Sequence, residues 1–480
     1  MINRLIFLAL SSGTVLVGCA VGPDFHRPSM PAMDRFSVAN SEVDADVMEN
    51  EFWKRFNDDE LSKLVEQALY SNLDLRAALT RYDSANALLR EEKFERLPVI
   101  EASAQAGRQK VSVDQSYGYP RSNTTYSVGA SASWELDLFG RVRRSIEAQQ
   151  ADTRGIAADL AGMQILIASE VASSYVSLRS AQERARIARQ NAENQSQILN
   201  LVKARLSAGR GTEQDLLQIR GQLQTTFSRI PAFEAEIAMQ KHRLAVLVGR
   251  PPTALDDELD SQQVIPSIPG EIPPGTPADL IRRRPDIAAA EARLHAATAR
   301  VGVATSDLFP KLNLIGGIGT QAFDDSALFR GSSSTSQVLL GIDWSFLDVG
   351  RVRARIAASR ADAAGLLAQY QQAVLLALEG TENALVRYGQ TRIEADHLQR
   401  AAHDGEAAER LAKLRYQAGV VDLYQVLDAA RTRLAAQDAA SDGQARCAQA
   451  AVMLFKELAG GWPGREPAKT TLATAEHGNP

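Results

Sequence analysis

Two intervals of this chain, Gly140 to Gly209 and Gly350 to Gly419, contain no proline. Each holds about 68 residues, which as a helix rising 1.5 Å per residue would reach roughly 100 Å. Mostly apolar residues recur inside them at helical spacing: Leu160, Ile167, Val171, Tyr175 and Leu178 in the first, Leu367, Tyr370, Val374, Thr381, Leu385 and Tyr388 in the second. Such spacing is coiled-coil-like. A helix this long cannot fold back onto a core of its own, so it demands partners along its whole length.

The two intervals are copies of one another. Gly140-Arg141-Val142-Arg143 returns as Gly350-Arg351-Val352-Arg353, and Ile146, Ala148, Ala151 and Asp152 return as Ile356, Ala358, Ala361 and Asp362. Trp134 matches Trp344, and Lys203, Arg205, Ala208 and Gly209 match Lys413, Arg415, Ala418 and Gly419. A single register holds over about 75 residues. The period, about 210 residues, is far too long for a solenoid and marks the tandem duplication of a domain-sized unit.

Each copy reads alike. A helix over 58–97 or 277–308 ends at Pro98 or Pro310. Two strand-like runs follow around a polar loop: 99–109 and 125–138 in the first copy, 312–322 and 337–347 in the second. Small and apolar residues alternate there, as in Ser127-Val128-Gly129-Ala130-Ser131-Ala132, which suits a strand with two different faces. After the long helix comes a glycine turn and a returning helix, 213–247 or 422–458, the first of which Pro231 should kink. The expected organisation is a signal peptide over 1–18, an anchored segment over 19–57, a first repeat over 58–248, a proline-rich linker over 249–276, a second repeat over 277–459 and an irregular tail over 460–480.

Composition narrows the class. Of 480 residues, 45% are hydrophobic and 23% charged, a folded balance, and the net charge of −5 offers no basic field for nucleic acid. Two cysteines make neither a disulfide framework nor a CxxC metal site, and Cys447 reads as packing in an alanine-rich helix. Arg4, the apolar run from Leu5 to Leu16 and Leu16-Val17-Gly18-Cys19 form a secretion signal ending in a lipobox, so Cys19 is the expected site of acylation. Ala20, in place of an aspartate, directs such a lipoprotein to the outer membrane. No later run of 18 uninterrupted apolar residues occurs, so any spanning falls to β-strands.

In order along the chain, the motifs resemble those of the outer-membrane factor family, the TolC/OprM-like ducts, and its lipoprotein branch in particular. They are Val21-Gly22-Pro23-Asp24-Phe25 with Arg27-Pro28; Phe52-Trp53 with Phe56, Asp58, Leu61 and Leu64; Arg283-Arg284-Pro285-Asp286-Ile287 through Phe309-Pro310; and Arg415-Tyr416, Gly419 and Leu427-Asp428-Ala429. The resemblance covers nearly all of the mature chain. It implies an α+β membrane protein: long α-helical coiled coils forming a periplasmic tunnel, and four β-strands per chain contributed to a trimeric, 12-stranded β-barrel. It also implies a periplasmic adaptor and an inner-membrane resistance-nodulation-division transporter as partners, with passive conduction of small toxic compounds as the function. From the residues alone, four strands cannot close a membrane barrel, since the smallest have eight, so at least two copies are required.

The sequence carries no recognisable catalytic or metal-binding motif. Six scattered histidines form no ligand spacing, HExxH, GxSxG and phosphate-loop motifs are absent, and Gly316-Gly317-Ile318-Gly319 lies in a predicted strand. No enzyme, metal or cofactor is expected, and seven methionines without a cluster offer no soft-metal path. By the resemblance, Ala208, Gly209, Ala418 and Gly419 are adaptor-contacting tips, while Tyr424, Asp428, Arg431, Arg415 and Tyr416 stand at the constricted pore end. Leucine usually occupies the position of Tyr424 in the family. Two other readings remain at this stage: a duct for protein secretion driven by an ABC exporter, and a non-conducting coiled-coil scaffold, which would have no need of the strand pairs.

Overall fold

A computed structural model describes residues 20–29, 33, 35–37, 51–114, 120–261, 264–266, 270 and 272–458. Cys19, the signal segment and the 460–480 tail lie outside the described residues. The elements are α1 (Asp59–Ser71), α2 (Leu73–Phe94), β1 (Val99–Lys110), β2 (Ser122–Leu136), α3 (Arg141–Ser207), α4 (Glu213–Phe227), α5 (Ile230–Leu247), α6 (Pro277–Arg283), α7 (Pro285–Ser306), β3 (Lys311–Ala322), β4 (Ser334–Asp343), α8 (Val349–Gln417) and α9 (Leu423–Glu457). The two proline-free intervals are single helices of 67 and 69 residues. One window of α3 has a mean hydropathy of 1.3, apolar enough by composition for a membrane span. Its stripe of Ile167, Val171, Tyr175 and Leu178 is buried within the chain, so this is a packing face.

Three expected helices are each two. The 58–97 helix breaks at Asn72, whose backbone turns extended. Its side-chain oxygen accepts from the Leu75 amide (3.0 Å), capping α2, while its amide donates to the Leu247 carbonyl (2.8 Å). The 277–308 helix breaks at Arg284, also extended, because the ring of Pro285 disfavours helical backbone in the residue before it. The returning 213–247 helix does not merely kink. It stops at Phe227 and restarts at Ile230, since Pro231 has no amide to donate and its ring would strike the carbonyl four residues back, that of Phe227.

The described residues divide into two compact units. One draws on 1–30, 81–157 and 289–372, the other on 31–80, 158–288 and 373–480. The first holds an antiparallel sheet in the order β1-β2-β3-β4. Its two hairpins are copies in register: the pair Val99↔Ser133 of the first corresponds to Lys311↔Asp343 of the second. Each carries a tryptophan at its helical end that donates to a carbonyl of the preceding chain, Trp134 to Arg96 and Trp344 to Leu308, both at 3.0 Å.

The residues after Cys19 strap this unit. The Val21 amide donates to the Phe139 carbonyl (3.0 Å), and the Phe25 ring stacks on His295 at 4.4 Å. Buried Arg144 donates to Asp24 (2.6 Å), Glu147 (2.8 Å) and the Val21 carbonyl (3.3 Å). Its hydrogen bond holds the Asp24 carboxyl below the ordinary range. Burial raises the Glu147 carboxyl, but the bonds to His295 and Arg144 outweigh it, and the net shift is downward.

The second unit has an aromatic centre: Phe52, Trp53 and Phe56 are buried, and Phe455 stacks on Phe52 at 5.4 Å. Fully buried Arg179 donates to Glu60 (2.6 Å) and the Ser261 carbonyl (2.7 Å), tying α3 to α1 and to the segment after α5. A buried charge held on both sides in this way costs several kcal/mol to orphan.

Candidate functional site

The sheet has two chemically distinct faces, and the register shows which residues share each. Successive strand side chains point to opposite sides. Ile100, Ala102, Ala104 and Ala106 of β1 lie opposite Ala132, Ala130, Val128 and Tyr126 of β2. The same side continues through Leu312, Leu314 and Ile318 of β3 to Ile342, Leu340 and Val338 of β4. Large side chains on this face are exposed: Ile100 is 75% exposed, Ile318 72% and Val338 78%. The reverse side is mostly polar or small, with Glu101, Ser103 and Gln105 on β1, Ser127, Ser131 and Glu135 on β2, Asn313 and Gln321 on β3, and Gln337 and Asp343 on β4; Val99 and the facing pair Ile315 and Leu339 are its large apolar residues. An exposed apolar face over every strand is foreign to water-soluble sheets and matches strands set between lipid and an aqueous lumen.

The second feature is the pair of glycine turns. After α3, Gly209 takes φ +70° and the Arg210 amide donates to the Arg205 carbonyl (2.9 Å); after α8, Gly419 takes φ +74° and the Val420 amide donates to the Arg415 carbonyl (2.9 Å). Both are glycine-capped helix ends of one design. Thr212 and Asp422 then cap the helices that follow. Ala208, Gly209, Ala418 and Gly419 are exposed.

Behind the turns Val202, Ile219, Tyr416, Leu423, Val426 and Leu427 form a buried cluster. Tyr416 therefore packs between the two repeats, whereas Tyr424 beside it is 60% exposed. The guanidinium of Arg205 lies 4.3 Å from the centre of the Tyr416 ring and also donates to its hydroxyl. Sequence reasoning assigned Arg205 only to the repeated turn motif. Asp428 accepts from Arg431 within one turn of α9 (2.8 Å), so Arg431 and not the exposed Arg415 is its cation. Tyr424, Asp428 and Arg431 line one side of a groove of about 400 Å³, with Gln222, Thr226 and Phe233 across it. Further along the groove Arg184 holds Asp438 (2.7 Å) and Asp442 (3.0 Å).

The outer membrane efflux protein family model matches residues 64–250 and 276–460, once in each repeat. The chain belongs to the outer membrane efflux protein family. Outer membrane protein OprJ of Pseudomonas aeruginosa is 32% identical over 465 residues, 95% of this chain and 95% of that protein. Cation efflux system protein CusC of Escherichia coli is 29% identical over 456 residues, 93% of this chain and 96% of its own length. Among solved structures, the outer-membrane channel OprN is 38% identical, with a TM-score of 0.85 over 92% of this chain and 100% of that one. As an outer membrane efflux protein, the chain is a mostly helical efflux duct with a four-stranded membrane sheet; the family is one of ducts and not of enzymes.

Proposed function

We propose that three copies of this chain close their sheets into one 12-stranded barrel and conduct small toxic compounds passively to the exterior. The observation that carries this reading is the two-faced sheet with two bare edges. Strands β1 and β4 have no partner on their outer sides among the described residues. In lipid every such amide and carbonyl must be paired, which only closure achieves. Four strands fall short of the smallest membrane barrel, and the two hairpins in matching register supply edges of the same kind at both ends.

In this reading the helices form the periplasmic part, and an adaptor meets the exposed turns at Ala208, Gly209, Ala418 and Gly419. An inner-membrane transporter of the resistance-nodulation-division class supplies the energy. Tyr424, Asp428 and Arg431 face the lumen near those turns, while Arg415 lies at the turn itself. Tyr416, held by Arg205, fixes the spacing between the repeats. Cys19 carries the acyl chains, since the strap leaves residue 20 beside Gly140 at the foot of the sheet.

Purified protein reconstituted into planar bilayers should give discrete conductance steps, and electron microscopy should give three-fold particles. A sample that inserts but never conducts would favour a scaffold, and any other symmetry would end the 12-stranded barrel. Mass spectrometry of the mature N-terminus should find a lipid-modified Cys19.

A further inference from the structure

The apolar face of the sheet carries two charges, and both lie at one end of one strand. Along β1 that face runs Ile100, Ala102, Ala104, Ala106, Arg108, Lys110; none of the other three strands puts an acid or a base on it. Arg108 and Lys110 are exposed and have no carboxylate partner among the described residues. Facing them across the β1–β2 ladder are Thr124 and Ser122, and the Arg108 Nε donates to the Ser122 hydroxyl (3.3 Å). Two cations and two hydroxyls thus share a patch that contains no acid.

The depth of the patch identifies its ligand. Trp134, at the helical end of the same face, stands ten residues down β2 from Thr124, the partner of Arg108. Ten residues span about 34 Å along a strand. At a tilt near 40° that is about 26 Å across the membrane, the height of the apolar band of an outer-membrane barrel. Tryptophan gathers at membrane interfaces; Trp134 marks the one at the helical end, so Arg108 and Lys110 emerge at the other. In the duct proposed above, on which this step rests, the helices occupy the periplasm, and the far interface is therefore that of the outer leaflet. We infer that Arg108 and Lys110, with Ser122 and Thr124, bind the phosphate groups of an outer-leaflet glycolipid. The guanidinium fork matches two phosphate oxygens, the ammonium adds a point charge, and the hydroxyls donate to remaining acceptors.

The full-length protein in detergent would be offered an equal mixture of a diphosphorylated glucosamine-disaccharide lipid and its dephosphorylated form with the same acyl chains. Native mass spectrometry then reads which is retained. The parent protein should prefer the phosphorylated lipid by about thirtyfold, at roughly fivefold per headgroup-facing cation. The double variant Arg108→Gln, Lys110→Gln should show no preference, and Arg108→Lys, Lys110→Arg should keep most of it. Equal retention of the two lipids by the parent overturns the site whether or not the variants fold; it is the result expected if these charges only guard an edge strand against aggregation. Displacement by millimolar inorganic phosphate alone would make it a simple anion site and overturn the lipid assignment. The same preparation is tested for conductance in phosphatidylcholine bilayers. Conductance without lipid preference removes this inference and leaves the duct standing, and lipid preference without conductance removes the duct reading instead.

Discussion

Replacing Arg205 by alanine tests whether the two repeats are fastened at their turns. Arg205 contributes a cation over the Tyr416 ring at 4.3 Å and a hydrogen bond to the same side chain's hydroxyl. An exposed cation–π contact contributes about 0.5–1 kcal/mol, and a hydrogen bond involving a charged group about 1.5 kcal/mol where it is desolvated. Arg205 itself is exposed, so solvent screening discounts the second figure and the sum is about 1 kcal/mol per chain. If three chains open together, about 3 kcal/mol separates parent from variant, which is roughly a 150-fold change in the closed-to-open ratio. Single-channel recording in planar bilayers should therefore show a marked rise in open time or conductance for Arg205→Ala. Tyr416→Phe, which keeps the ring and loses the hydroxyl, should show a smaller rise. Arg205→Lys should fall between parent and alanine, because an ammonium neither stacks flat nor forks. A double-mutant cycle between Arg205→Ala and Tyr416→Phe should give a coupling energy. Unchanged gating in Arg205→Ala, or strict additivity in the cycle, would refute the reasoning.

Asp428→Ala removes an exposed pair within one helical turn, worth about 0.3–0.5 kcal/mol. In the proposed trimer three Asp428 carboxylates around the lumen favour cations; melting temperature should barely move while that preference weakens and conductance rises, and recordings that match the parent in both would make Asp428 a merely solvated residue. Glu147 titrates lower in the folded chain than in the unfolded one, so its stabilising contribution is present above the ordinary carboxylate pKa of about 4.3 and fades as pH falls through the folded value. Melting temperature should consequently decline more steeply between pH 5 and pH 3 for the parent than for Glu147→Gln, and parallel curves would dismiss the linkage. Gly140 has φ +86°, and a Cβ there would sit 2.6 Å from the Ala20 Cα. Gly140→Val, at about 1–2 kcal/mol of backbone strain plus that clash, should lift the strap and expose the Val21 amide to hydrogen exchange; intact protection would show that the strap does not depend on this glycine.

Much of this architecture was legible because it is written in periodicity. The long helices follow from two proline-free intervals, the hairpins from alternation, and their equivalence from one repeated register. The break at Arg284 was missed in the expected 277–308 helix, although Pro285 marks it locally. The break at Asn72 has no such mark, because an asparagine within a helical pattern becomes a cap only when something such as the Leu247 carbonyl is there to hold its amide. The same limit applied at the site. The exposed turns and the Asp428–Arg431 spacing are local facts. The seat of Arg205 on Tyr416, and that of Phe25 on His295, join residues hundreds of positions apart, and no periodicity encodes such a meeting.

The seam between β2 and β3 joins one copy of the ancestral hairpin to the other within a single chain. In the proposed barrel the seam between neighbouring chains would be the same junction made without a covalent link. Fusion thus turns every second encounter of a ring of hairpins into an intramolecular one, governed by effective concentration and not by how much protein the membrane holds. It also breaks a symmetry. A ring of identical single repeats must present the same residue at every station, whereas a fused pair can alternate. The chain uses that freedom at its turns: Leu206 stands in the first repeat where Tyr416 stands in the second, Gln214 where Tyr424 stands, and Gln218 where Asp428 stands. Six near-equivalent helical turns can then hold two kinds of chemistry in alternation, one half specialised to fasten and the other to be fastened, which identical subunits could not arrange.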